Sequence, residues 1–222
     1  MKKPSFLNNH IYHIYNRGVE KRNIFLDDHD YFQFIHNLYE FNDVNPVSKL
    51  KNSIFQSTEV ERENNKNERE PLVEILAFVL MPNHYHLLLR QLVDDGISRF
   101  LQKIGTGFTM SFNQKYDRVG CLFQGRFKAV LVEEESHLLY LPMYIHLNPI
   151  KISGGSTSGD WEFLKNYRWS SLHDYIGKKN FPSVISKEFL LDTLGSSKEY
   201  QEELKSWLKK DNNFKDIIDE IK

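Results

Sequence analysis

The chain has 222 residues, 40% of them hydrophobic, which suffices for one compact core with an appendage and is short for two full domains. Its 29 Lys+Arg against 30 Asp+Glu leave a net charge of -1, which excludes a basic tail, so any nucleic-acid surface must come from local clustering. A single cysteine, Cys121, excludes an internal disulfide and a thiolate metal cluster, and a buried or half-buried side chain is expected there.

The opening MKKPSFLNNH has no continuous apolar segment behind its lysines, so no signal peptide is visible. No apolar run approaches the ~20 residues of a membrane helix. A soluble, cytoplasmic protein without membrane contact is expected. Residues 10–18, HIYHIYNRG, alternate as a first strand, with Ile11, His13 and Tyr15 on one side and Tyr12 and Ile14 on the other. His10 and His13 differ in parity and read as ordinary strand residues. Arg17, Lys21 and Arg22 cluster in and after a glycine-containing loop. Asp27 or Asp28 can cap a helix whose apolar face is Tyr31, Phe34, Ile35 and Leu38. From 42 to 71 the pattern dissolves. Its stretch EVERENNKNERE cannot bury a face, and the segment reads as a flexible surface insertion.

The stretch EILAFVLMPNHYHLLLR, residues 74–90, holds two short apolar runs separated by Pro82 and Asn83, the pattern of two adjacent strands. Side chains at i and i+2 share a face of a strand. His84 and His86 therefore project together, away from Tyr85 and Leu87. Two imidazoles at a strand start are half of a divalent-metal site. Gly96 or Ser98 begins a second helix, with Ile97, Phe100, Leu101, Ile104, Phe108 and Phe112 at helical spacing. Gly105 and Gly107 lie inside it, at about 1 kcal/mol each relative to alanine, which implies either a close approach or a local break.

Between 95 and 131 the bases Arg99, Lys103, Lys115, Arg118, Arg126 and Lys128 face only Asp95 and Asp117, and Gly120, Gly125, Phe123 and Phe127 interleave with them. This is the best candidate for a phosphate-contacting surface, against the alternative of a solvated face. Residues 126–132 read as a fourth strand. The resulting β-α-β-β-α-β order is that of an α+β, ferredoxin-like fold: an antiparallel sheet with helices on one face and the first and third strands central.

Within 133–149, Ser136 can cap a short helix carrying Leu138, Leu139 and Met143, and Pro142 inside it predicts a kink or a late start. Tyr144 and Asn148 are four apart and share a helix face. Pro149 predicts an end at or near Asn148. Residues 152–159 read as a Ser/Gly-rich linker, and the Ser-Ser pair after Trp169 as the start of a short helix. Ser196 with Glu199 forms a capping-box pattern ahead of Tyr200, Leu204, Trp207 and Leu208, whose aromatics read as packing residues. The expected division is 1–150 as the main domain, interrupted by 42–71, and 151–222 as a C-terminal helical extension.

A metal at the two histidines needs a third ligand, and a carbonyl or carboxylate oxygen suits Mg²⁺ or Mn²⁺. On the stretches YHIYNRGVEKRNIF, LMPNHYHLLL, LFQGRFKAVLVE, YIHLNPIK and YRWSS, which cover most of residues 10–175 in that order, the sequence resembles single-tyrosine HUH transposases, most closely the REP-associated tyrosine transposases. The resemblance implies a ferredoxin-like nuclease domain with His84 and His86 as the paired metal-binding histidines. It implies Tyr144, on the C-terminal helical segment, as the nucleophile and Asn148 as the third metal ligand. It also implies a metal-dependent DNA strand transferase acting in transposition. Such an enzyme cleaves and rejoins single-stranded hairpin DNA through a 5′-phosphotyrosine, with Mg²⁺ or Mn²⁺ and no organic cofactor, as a monomer or homodimer. Arg17, Lys21, Arg22, Lys103, Arg126 and Lys128 become expected DNA contacts. Three features depart from the family pattern: the length of 42–71, Pro142 two residues before Tyr144, and ISGGSTSG after Lys151. The competing readings are a domesticated, non-catalytic hairpin-binding regulator and a hydrolytic metalloenzyme in which Tyr144 is merely structural.

Overall fold

The computed structural model describes residues 5–45, 69–153 and 160–209. Strands β1 (Ile11–Arg17), β2 (Val73–Met81), β3 (His84–Gln91) and β4 (Lys128–Val132) form one antiparallel sheet in the order β2-β3-β1-β4. The first and third strands are central neighbours, as the β-α-β-β-α-β order requires. Met81 pairs with His84, so Pro82 and Asn83 alone make the β2–β3 turn. In the β1–β3 register Ile14 lies opposite Leu87 and Tyr15 opposite His86. Residues facing each other across a ladder point to one side. Tyr12, Ile14, Tyr85 and Leu87 thus share one face, and His13, Tyr15, His84 and His86 the other.

The first face is the apolar core, covered by α1 (Asp28–Glu40) and α2 (Gly96–Lys115). Asp27 caps α1 in a capping box with Asp30, and Tyr31, Phe34, Ile35 and Leu38 are buried. Phe34 packs on Tyr85 and on Phe108, with ring centroids 5.0 Å apart in both pairs. Helix α2 runs unbroken through both of its inner glycines. A Cβ on Gly107 would meet the Phe41 ring at 2.6 Å, whereas one on Gly105 would meet nothing within 4 Å. Close approach therefore explains Gly107 alone.

Helix α3 (Glu135–Leu147) lies on the opposite face. It is continuous through Pro142, without the late start that proline suggested. Every residue from Tyr140 to Leu147 is buried, a pattern that requires cover on more than one side. The sheet supplies one side. Rings of α6 (Leu172–Tyr175) and α8 (Ser197–Lys209) supply others, and α4 (Ile150–Ser153), α5 (Asp160–Asn166) and α7 (Glu188–Leu194) belong to the same C-terminal segment. His146 ties these together: Nδ1 lies 2.6 Å from Tyr200 Oη and Nε2 lies 2.7 Å from Ser171 Oγ. The YRWSS stretch pairs with β2, where Leu80 N donates to Trp169 O at 2.9 Å and Ser171 N to Phe78 O at 3.0 Å. That pairing covers an otherwise open sheet edge. The Ser196–Glu199 capping box is present at the start of α8, and Tyr200 is buried while Trp207 packs on Tyr140.

Several expectations are corrected. β4 begins at Lys128, so Arg126 and Phe127 belong to the preceding loop. That loop is held against the end of β1, with Gln124 N donating to Arg17 O at 2.8 Å. Cys121 is exposed, because the loop carries it outward between the inward-facing Leu122 and the solvent. Helix α4 occupies 150–153, so the expected linker does not begin at 152, and residues 154–159 lie outside the described residues. Most of the 42–71 insertion, residues 46–68, also lies outside them. Its ends are joined, Val44 N donating to Glu70 O at 2.9 Å and the Asn42 amide pairing with both N and O of Val73. Among the described residues no helix is long and apolar enough to cross a membrane.

Candidate active site

On the α3 face, a cleft of about 600 Å³ is lined by Tyr15, Asn16, Arg17, His84, His86, Gln124, Arg126, Lys128, Tyr144 and Lys151. Strand parity brings His84, His86 and Tyr15 there. Helix α3 brings Tyr144, whose ring meets His86 edge-on at 5.6 Å. Lys151 Nζ lies 5.1 Å from the Tyr144 ring centroid, a cation over the aromatic face. Arg17, Arg126 and Lys128 complete a basic rim.

The two histidines are perpendicular, with ring centroids 5.1 Å apart. His84 Nδ1 lies 2.6 Å from Asn83 Oδ1, while Asn83 Nδ2 donates to Lys21 O at 3.2 Å. With the amide so oriented, its oxygen only accepts, so the His84 proton sits on Nδ1 and Nε2 keeps its lone pair. Burial, with smaller help from Arg17 and Lys151, pushes the His84 pKa down to about 4. Burial, then His13, His84 and Lys151, holds His86 well below the ordinary imidazole value. Both rings are neutral near pH 7, the form that ligates metals. At nitrogen–metal distances of about 2 Å, rings so placed can share one ion. The donor set fits a divalent cation.

Asn148 is placed differently from a cleft-lining ligand. It is buried at the end of α3, where Nδ2 donates to Tyr144 O at 3.0 Å and Oδ1 accepts from Lys151 Nζ at 3.1 Å. One of the two lone pairs of that oxygen is thus taken by the lysine. Among the described residues, one group of acidic and imidazole side chains lies within metal-ligand reach of itself: Asp27, His29 and Asp30. It belongs to the start of α1, where Lys115 Nζ bonds Asp27 Oδ1 and Asp30 Oδ1 at 2.7 Å each. One ammonium is shared by its two carboxylates.

Of the expected DNA contacts, Arg17, Arg126 and Lys128 line the cleft, whereas Lys21, Arg22 and Lys103 do not. Lys103 donates to the main-chain oxygens of Asp43 at 2.7 Å and Phe41 at 3.5 Å, so its charge serves the packing of α2. Sequence reasoning missed Tyr15, Asn16, Gln124 and Lys151 as cleft residues, and His13 as a partner of His86. The parity that paired His84 with His86 also placed His13 and Tyr15 on one face. What it lacked was the register joining β1 to β3.

The family described as "Transposase IS200 like" matches residues 7–148. No curated protein sequence matches the chain. Among solved structures, "Structure of the REP associates tyrosine transposase bound to a REP hairpin" is similar with a TM-score of 0.50 and 15% identity. The match covers 84% of this chain and 90% of that one. The likeness extends to the fold, including the mixed α+β architecture around the four-stranded antiparallel sheet.

Proposed function

Because the chain belongs to the IS200-like transposase family, we propose that it is a tyrosine strand transferase that cleaves and rejoins single-stranded hairpin DNA. The observation that carries the reading is the meeting, in one basic-rimmed cleft, of Tyr144 with His84 and His86. The REP hairpin bound by the structural neighbour motivates the choice of substrate.

His84 and His86 would hold the cation through their Nε2 atoms. When bound, Mg²⁺ or Mn²⁺ would polarise the scissile phosphate and draw off its developing charge. Tyr144 Oη attacks phosphorus. The Oη–P bond forms as the P–O3′ bond breaks, leaving a 5′-phosphotyrosine and a 3′-oxygen that takes up a proton. A phenol with pKa near 10 is a weak nucleophile at pH 7, and the Lys151 ammonium lies over its ring. Asn148 holds that ammonium in place. The covalent bond keeps the phosphodiester's reactivity, so an incoming 3′-hydroxyl can reverse the step and join a new end. Arg17, Arg126 and Lys128 would bind the strand backbone and align it.

Incubation of single-stranded hairpins with the protein and Mn²⁺ tests the reading. A covalent adduct retained in denaturing gels and lost in Tyr144→Phe is expected, with hairpin binding kept by the variant. Binding without any adduct, under either metal, would leave only the regulatory reading. Release of a free 5′-phosphate without adduct would favour the hydrolytic one.

A further inference from the structure

Resting on the metal-binding reading of His84 and His86, we propose that His13 is a positioning residue: it accepts a hydrogen bond from His86 Nδ1–H and thereby holds His86 as a ligand with Nε2 bare toward the cleft.

The starting point is an asymmetry between the two cleft histidines. His84 is oriented by an amide oxygen, a group that only accepts, so its tautomer follows from geometry. His86 Nδ1 instead lies 2.9 Å from His13 Nε2. Two imidazoles facing each other can share that proton either way. If His13 donated, the His86 proton would have to sit on Nε2, and no lone pair would face the cleft. If His86 donates, Nε2 is bare, matching the state Asn83 enforces on its neighbour. Only the second arrangement lets both rings hold one ion.

The surroundings of His13 show what its imidazole contributes. Its ring is 3% exposed and meets His86 with centroids 5.1 Å apart and an interplanar angle of 16°. With the facing nitrogens 2.9 Å apart, the two rings lie edge to edge and nearly coplanar, so the bond runs close to both ring planes and orients His86. Among the described residues the other His13 nitrogen, Nδ1, is buried without a hydrogen-bond partner. Such an atom is unfavourable, and a phenylalanine or leucine of similar size would fill the space without that cost. A residue kept for packing alone has no use for a second nitrogen. The bond made by the first nitrogen is what the imidazole adds. His13 also meets the Tyr144 ring edge-on at 6.0 Å, so ligand and nucleophile share one supporting side chain. Partners that orient metal-bound histidines are commonly worth 10–100-fold in metal affinity.

Three proteins and two measurements test the proposal. In the metal-free wild type, long-range ¹H–¹⁵N correlation spectra of the imidazoles are expected to show His86 protonated at Nδ1. Calorimetric titration with Mn²⁺ is expected to show affinity weaker by about 10–100-fold in His13→Phe. His13→Gln, whose amide oxygen can accept the same bond, is expected to recover most of the loss. Hairpin binding without metal should stay at the wild-type level in both variants. Wild-type protein that shows no Mn²⁺ binding would overturn the metal reading itself. Wild-type binding with an unchanged affinity in His13→Phe, or a His86 proton found on Nε2, would overturn only the role of His13. Should His13→Phe fail to fold, the wild-type tautomer and the His13→Gln affinity decide by themselves.

Discussion

Two histidine clusters lie on opposite sides of α3, and they are built to opposite rules. His146 has both nitrogens engaged, by Tyr200 and Ser171, and it is fully buried. With the Ser171 hydroxyl donating to Phe78 O, His146 donates from Nε2 and accepts at Nδ1 from Tyr200, so the chain of bonds closes. Across the helix, among the described residues, His84 and His86 each have one nitrogen bound within the protein and one left for the cleft, and His13 has a nitrogen with no partner. Saturated hydrogen bonding holds elements together. Bonding capacity left over at the mouth of a cleft is what a ligand can use. Helix α3 joins the two because Tyr144 and His146, about 200° apart around its axis, face one cluster each. The side that clamps the helix thereby places the nucleophile.

The largest effect should come from cutting the reactive side. Tyr144→Phe removes one oxygen and should reduce DNA adduct to background while leaving the thermal midpoint near that of the wild type. Paired adduct and melting assays check this. Cutting the clamping side should do the reverse. His146→Leu leaves Tyr200 Oη and Ser171 Oγ without their partner and should cost about 2–4 kcal/mol of stability. It should still form adduct at low temperature. Denaturant unfolding measures the loss, and a variant as stable as the wild type would dissolve the distinction between the two clusters.

The clamp also predicts a pH dependence. Burial, with a smaller contribution from His173, lowers the His146 pKa to about 3, against an ordinary value of 6.5. Above pH 6.5 the ring is neutral both folded and unfolded, and it has no effect on the slope. Between 6.5 and about 3 the unfolded chain binds a proton that the folded chain refuses, so stability falls as pH falls. From pH 7 to 5 this one group should remove about 2 kcal/mol. His146→Leu should lose that much less over the same interval, read from unfolding curves at the two pH values.

Much of this organisation was legible in the residues. Helix periodicity, the Asp27 cap and the paired strands of 74–90 follow from local patterns, and those elements are present with small shifts in their ends. His84 and His86 share a face because they belong to one strand. Tyr144 was reached only through resemblance, since no local pattern says which tyrosine a folded helix brings to a distant strand. His13 was missed for the same reason: its role depends on which strand lies beside β1. Pro142 was read as an obstacle because a lone proline weakens a helix. Here burial on several sides keeps α3 continuous. Lys103 carried the right charge, but the main-chain oxygens of Phe41 and Asp43 take up its ammonium.

That last contrast sets the smallest expected effect. Arg126→Gln, at the cleft, should weaken hairpin binding and lower the dependence of log affinity on log salt by about one unit. Lys103→Gln should leave both unchanged. Equal effects in a salt titration would mean that the basic surface extends well beyond the cleft.

The most direct test of the whole account is to locate the covalent bond. After reaction with Mn²⁺ and an end-labelled single-stranded hairpin, the adduct is digested and the DNA-linked peptide sequenced by mass spectrometry. The account predicts a phosphotyrosine at Tyr144 carrying the 3′-side fragment through its 5′-phosphate. Attachment at Tyr15, the other tyrosine lining the cleft, or at any other residue would contradict it.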